Sequence, residues 1–456
     1  MKKILLVATF VALCLPALAE KITLKSSMKK GDLIRISIAA KNKTVRINTG
    51  DGTAKDYTVT DEVMKPTFIS LQASAESPTI EVEGDVLGIV CASLSLSEID
   101  CMQATSLQVL KCDINQLTTL DVSKNADLIG LYCNDNTLTE LKLGTPKKLQ
   151  QLYCQFNELT SIDLSNAEKL VELGCYSNKL TALDVTNCPE LIGMDCKKNK
   201  IGTLDLSKNT KLKSLYCQSC ALKELNLQNC VLLTKLQCTD NKLKSLDISR
   251  QNHLIELICS SNDIGKLEVS HNKELETLFC METSIKELNL NGLTKLAELN
   301  CGGCQLKTID LSKNSNLESV CVFFNELTEL NIDGLKKLQA IVCSHNLLNS
   351  FSAKGCTALR AIDISHNNLS ADATLAMISG LEKQEEAGQI IFFNSQEEGE
   401  EHNTLTDEAI KAANAKRWML TNGEEEITSG IASVGTSETN ALKLTCKTAS
   451  LLSRQT

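Results

Sequence analysis

Aromatic residues make up only 3% of this 456-residue chain, and proline and histidine occur five times each. So few rings, beside abundant Leu and Asn, point to a repeat rather than to an ordinary aromatic-anchored core. With 43% hydrophobic and 23% charged residues, the composition fits neither a disordered chain nor collagen. Positive charge is short as well. Against 56 acidic residues stand 47 basic ones, for a net charge of −9. That balance argues against nucleic acid or an anionic membrane as the main partner. Past the first twenty residues no run of about 18 apolar residues occurs, so no membrane insertion is expected. The histidines (His253, His271, His345, His366 and His402) stand near no nucleophile at motif spacing, so no catalytic residue is assigned and the chain reads as a non-enzyme.

At the N-terminus, Lys2 and Lys3 precede an apolar run from Ile4 to Leu15, and Ala17-Leu18-Ala19 supplies an A-x-A cleavage site. This pattern predicts a signal peptide over 1–19, a mature chain from Glu20, and a secreted or cell-surface protein.

Internal repetition dominates the rest. Leu107 is followed at every 21st residue by another Leu, through Leu128, Leu149 and onward to Leu359, thirteen leucines at thirteen positions without an insertion. One coil, LVELGCYSNKLTALDVTNCPE from Leu170, shows the pattern L-x-x-L-x-C-x-x-N-x-L-x-x-L-D-[LV]-S. This is the leucine-rich repeat consensus with Cys in one Leu place. Alternation turns Leu173 and Cys175 inward and Gly174 outward. Asn178 ends the strand, where its amide can serve backbone groups of the neighbouring turn. One coil cannot bury its own apolar edge, so coils stack. The expected fold is a leucine-rich repeat solenoid over 86–370, with a parallel sheet on the concave face. The convex side is expected to be β-like or irregular, since Leu-Thr-x-Leu-Asp-Val-Ser is poor helix sequence.

Twenty-one cysteines in an exported chain suggest disulfides. Their phase suggests otherwise. Cys91, Cys112, Cys133, Cys154, Cys175, Cys196, Cys217, Cys238, Cys259, Cys280, Cys301 and Cys343 share one repeat position, and Val322 and Ile364 fill the skipped steps. A place that accepts Cys, Val or Ile is a core place, and parallel Cβ vectors on neighbouring rungs suit a disulfide poorly. The expectation is a reduced ladder. Two C-x-x-C pairs, Cys217 with Cys220 and Cys301 with Cys304, resemble redox or zinc motifs. However, Cys220 and Cys304 occupy the Asn step, and the pairs lie four coils, roughly 19 Å, apart at strand spacing. No metal site and no cofactor is expected. Cys188, Cys230 and Cys356 share a return-side phase and read as partly buried. Cys101, Cys321 and Cys446 fit no ladder, and Cys321 is expected to face outward as a free thiol.

Residues 20–85 lack the period and read as a small β domain that covers the open solenoid edge. Their turn cluster, Thr49 to Thr53, joins two strands. After Asn367 the step fails. Ser370 can cap a helix from Ala371 to Lys383, QIIFFN reads as a strand, Thr406 can cap a helix over Asp407 to Ala415, and Trp418 opens a last strand. Together 371–422 read as a C-terminal cap, and 423–456 as a flexible tail or sorting segment.

The 21-residue period with its Cys rung resembles the cysteine-containing leucine-rich repeats of bacterial internalins, over about 91–370. The segment RINTGDGTAKDYTVT resembles PKD-like β domains, with Asn48 and Thr49 in place of the usual Asp and Trp, and NAKRWML resembles the cap that follows such repeats. The family has a helical N-terminal cap and LPxTG anchors; neither pattern occurs here, and the expected source is a Gram-negative cell. The resemblance implies a surface adhesin that binds a protein or glycan on host or neighbouring cells through the concave face, in adhesion, biofilm formation or virulence. A self-associating scaffold of a surface matrix stays open as the alternative, and the oligomeric state is not specified. Tyr132, Tyr153, Phe156, Tyr176, Tyr216, Phe279, Phe323 and Phe324 fall on outward strand positions or in the two residues after them. An exposed ring stripe is the composition of a binding hot spot, and these eight are the candidate ligand-binding residues.

Overall fold

The thirteen leucines on the 21-residue step are each no more than 1% exposed, and all twelve ladder cysteines are fully buried. The computed structural model describes residues 20–394 and 401–428, in two units divided after Leu159. The segment 1–19 and residues 429–456 of the tail, with Cys14 and Cys446, lie outside the described residues.

The first unit opens with eight strands: β1 (Lys21–Ser26), β2 (Leu33–Ala40), β3 (Thr44–Asn48), β4 (Ala54–Thr58), β5 (Thr67–Gln72), β6 (Thr79–Glu83), β7 (Val86–Val90) and β8 (Leu96–Asp100). One antiparallel sheet has the order β4-β3-β6-β1-β8, while β2 pairs with β5 and β7. In the β3–β4 turn the Asn48 Oδ1 accepts from the backbone N–H of Gly50 (2.9 Å) and Gly52 (3.1 Å), an Asx-type brace. Strands β7 and β8 are also the two sides of the first solenoid coil. β7 runs antiparallel to β2 and parallel to the strand Val109–Lys111 of the next coil, whereas β8 runs antiparallel to β1. Both sides of that coil are thereby hydrogen-bonded to strands of the β domain, and its edges are not left open. Strands Gly130–Tyr132 and Gln151–Tyr153 continue the parallel sheet of this unit.

In the second unit, three-residue strands from Glu172–Gly174 to Ala361–Asp363 pair in parallel, each residue opposite the one 21 places on. Leu and Cys fill the interior beneath them. The return side is largely irregular; strands occur there at Glu329–Asn331 and Ser350–Ser352, and in the first unit at Thr119–Asp121 and Glu140–Lys142. Asp-x-Ser turns set its path: the carboxylates of Asp163, Asp205, Asp247 and Asp310 each accept the backbone N–H two residues on, at 2.8–3.0 Å. The Ser backbone and hydroxyl bonds hold these carboxyls below the usual range. Past the last coil, Ser370 caps helix α1 (Ala371–Gly380), which stops three residues short of the expected Lys383. Strand Gly388–Ile391 pairs in parallel with Ala361–Asp363 and with Trp418–Thr421. Helix α2 (Asp407–Ala415) is capped by Thr406.

Polar ladders brace the coils from within. Asn262 is typical. Its Nδ2 donates to the carbonyls of Cys238 (3.0 Å), Cys259 (3.0 Å) and Ser260 (3.1 Å), and its Oδ1 accepts from the N–H of Leu243 (3.0 Å). The residue before each such Asn is left-handed: Ser177, Lys198, Asp240, Ser261, Phe324, His345 and His366 all have φ of 50–54° or, for Phe324, 49°. A non-glycine residue there costs about 1–2 kcal/mol, and the Asn hydrogen bonds hold it in place. A second ladder runs on the return side. The amides of Asn209, Asn272 and Asn314 each donate to two carbonyls of the preceding coil, at 2.9–3.1 Å.

The cysteine expectations need three corrections. Cys188, Cys230 and Cys356 occupy the second Asn ladder and are buried, not partly buried; the Cys356 thiol donates to the Ile332 carbonyl at 3.0 Å. Cys101 does fit a repeat position. It lies 21 residues before Val122, at the [LV] place of the first coil, and is fully buried. Cys321 is only 2% exposed and is disulfide-bonded rather than free. The other described cysteines are free and buried. Cys304 is buried at the Asn step, where hydrogen bonds with Cys280 and the Thr283 hydroxyl lower its pKa.

Candidate functional site

The outward face of each sheet is built from positions that flank the buried second Leu of every coil. In the first unit, parallel register places Tyr132 beside Tyr153. Their rings stack at 5.2 Å between centroids with 17° between planes. The Tyr132 hydroxyl donates to Gln151, and the Lys111 ammonium sits 4.5 Å over the Tyr132 ring. Gly130 makes the pose possible, since a Cβ there would come within 3.1 Å of the Tyr132 ring. Burial raises the Tyr132 pKa. The result is a two-ring platform with an apolar face and polar edges, held without side-chain freedom to lose on binding. Phe156, 49% exposed, takes a left-handed φ of 54° past the strand end of the same unit.

The second unit brings together a different set. Phe323 meets Phe324 edge-on at 5.8 Å, Phe324 stacks on His345 at 4.0 Å, and His345 stacks on His366 at 4.2 Å. Phe323 lies over Gly302, where a Cβ would fall 2.6 Å from the ring. Phe324 and nearby Leu347 are 54% and 55% exposed, so this column carries an apolar rim. His366 is itself buried, with Nε2 3.2 Å from the Asn394 carbonyl oxygen and its N–H donating to Glu401 at 2.7 Å. Among the described residues, no group of three His, Cys, Asp or Glu side chains is arranged to hold a metal.

The remaining predicted rings have different surroundings. Tyr176 lies under the Lys197 ammonium at 4.4 Å. Tyr216 sits between Asp195 and Gln237 in the sheet register, without another ring. Phe279 is 8% exposed between Ile258 and Asn300, so it offers little surface to a ligand. Sequence phase alone grouped Tyr132, Tyr153, Tyr216 and Phe279, because all four share a repeat position. Contact requires adjacent coils as well, and only Tyr132 and Tyr153 meet that condition. The Phe324–His345–His366 column was legible as a run of rings at one repeat position in successive coils.

No known family profile matches the chain, and no curated protein matches it. Solved structures do. The functional domain of InlJ from Listeria monocytogenes, which includes a cysteine ladder, is 27% identical, aligns over 71% of this chain and 78% of its own, and has a TM-score of 0.59. A leucine-rich repeat protein of Leptospira interrogans is 22% identical over 70% of this chain and 85% of its own, with a TM-score of 0.60. YopM, a leucine-rich effector protein from Yersinia pestis, is 20% identical over 62% and 78%, with a TM-score of 0.51.

Proposed function

We propose that this chain, an internalin-like leucine-rich repeat solenoid with a cysteine ladder, is an exported adhesin that binds a protein or glycan on host or neighbouring cells through the outward face of its sheets. The fold is that of a protein-interaction scaffold. Among the described residues no helix is long and apolar enough to cross a membrane. The supporting observation is the Tyr132–Tyr153 stack. The core is filled by Leu and Cys, so these rings are not needed to hold the coils together, and their ordered, half-exposed faces suit contact with sugar rings or apolar side chains. The Phe323–Phe324 pair offers a comparable surface in the second unit.

The test uses the mature chain, labelled and applied to epithelial monolayers and to bacterial biofilm. Tyr132→Ala with Tyr153→Ala, and separately Phe323→Ala with Phe324→Ala, are compared with the unchanged chain. At least one pair is expected to lower cell binding more than tenfold, as loss of a hot spot does, while the melting temperature stays put. Full binding by both paired variants would refute the site.

A further inference from the structure

The second unit carries a groove of about 590 Å³ where the strands end, lined by residues of coils from Asn178 to Lys242. It owes its shape to one residue. In consecutive coils the place after the ladder Asn reads Lys179, Lys200, Ala221, Lys242. Ala221 interrupts a row of long side chains and leaves a notch between Lys200 and Lys242. Cys220 stands in the Asn place of that coil, and Ala221 turns left-handed, with φ of 58°. Asn241 braces the bend, its Oδ1 accepting from the N–H of Cys220 (3.1 Å) and of Leu222 (2.9 Å).

The groove is cationic in a chain of net charge −9. Lys198, Lys200 and Lys242 all line it. Other lysines of this unit pair with carboxylates, as Lys197 does with Asp195, Lys211 with Glu190 and Lys295 with Glu274. Among the described residues, Lys198, Lys200 and Lys242 take part in no ion pair. The acid in the groove, Asp240, accepts a hydrogen bond from the Ser219 hydroxyl at 2.7 Å. Lys200 and Lys242 stand two coils apart, about 9.6 Å at strand spacing, so the cations are spread along the solenoid axis rather than focused on one point. The backbone around them is already paired by Asn199 and Asn241, which leaves no strand edge for an extended peptide to join.

We infer that this notch is a binding site for an acidic polysaccharide, whose sulfate or carboxylate groups are met by Lys198, Lys200 and Lys242. Its charge recognition does not depend on the Tyr132–Tyr153 stack. Spaced ammonium groups suit charges borne along a stiff chain, and unpaired surface cations are the ones free to exchange small counterions for a polyanion.

Fluorescence anisotropy on the mature chain tests this with labelled heparin oligosaccharide, labelled alginate oligosaccharide and labelled poly-glutamate peptide of similar charge. At low salt the chain is expected to bind at least one of the two glycans, and more tightly than the peptide. The heparin and alginate arms separate sulfate from carboxylate recognition. Combined Lys198→Gln, Lys200→Gln and Lys242→Gln should weaken binding at least tenfold with an unchanged melting temperature. Asp240→Asn should tighten it severalfold, and Tyr132→Ala with Tyr153→Ala should leave it unaltered. Glycan binding that is absent, that survives the triple change, or that is matched by poly-glutamate would overturn the assignment. The last result would make an acidic peptide the occupant.

Discussion

Raising the pH from 8 to 10.5 is expected to unfold the solenoid at temperatures where it is stable at neutral pH. The cause is the buried thiols. Cys238 is pushed up to about 12, and Cys188, Cys230 and Cys356 to about 11, all chiefly by burial. In the first unit burial pushes Cys101 and Cys133 up to about 12. A cysteine in the unfolded chain ionises near pH 8.5. Each folded-state value lies above the unfolded one, so the stability these thiols contribute is complete below about pH 8.5 and is lost as the pH climbs toward 11 or 12. Each thiol that ionises only after unfolding removes about 1.4 kcal/mol per pH unit. The four named in the second unit together remove about 5 kcal/mol per unit, against a total of about 5–15 kcal/mol for a typical domain. Urea melts under a reductant at pH 7.5, 9 and 10 measure the slope. Cys238→Val should flatten it, since Val322 already fills the same ladder position. A stability that stays level from pH 8 to 10 would contradict buried, protonated thiols.

Asn262→Leu is expected to cost about 3–5 kcal/mol, each buried polar group left without a partner contributing about 1–3 kcal/mol. Leucine matches asparagine in branching but can serve none of the four backbone groups that Asn262 bonds. It would also leave Ser261 in its left-handed conformation without the bonds that hold it. Asn262→Thr should be milder. At the same place in the next coil Thr283 donates its hydroxyl to the Cys280 carbonyl at 2.9 Å, so one bond of the set is kept. The shift in urea midpoint of the two variants orders them. Equal losses, or a negligible loss for Leu, would show that packing rather than hydrogen bonding fills this position.

The periodic part of this molecule was readable because one residue type recurs for one reason. Leu at the first and fourth places and Cys at the sixth can be satisfied only by an interior shared between identical coils. The Asn step was equally plain, but its consequence was not. That the residue before each Asn must turn left-handed is invisible in a column that reads Ser, Lys, Ser, Asp, Ser, Glu, because none of these is the glycine that usually marks such a turn. The return-side ladder hid for a similar reason: Asn, Cys and Gln mix there with Pro146, Ala167, Leu293 and Leu335, and only a shared carbonyl target unites the polar ones. Cys101 is hard to place by phase, since the first coil belongs to the β domain and to the solenoid at once, and its phase begins before the repeat becomes obvious. Strand alternation marks Cys321 as outward-facing, but alternation cannot show whether an outward position is left open, and this one is buried.

By itself the chain determined the 21-residue period of the solenoid and the Leu and Cys that fill most of its core, for these follow from a local pattern repeated without error. Tertiary structure alone decided which outward residues meet. Tyr132 touches Tyr153 while Tyr216 stands by itself, and a single Ala221 opens a cationic notch, because side-chain contact depends on what the coil above and the coil below happen to carry.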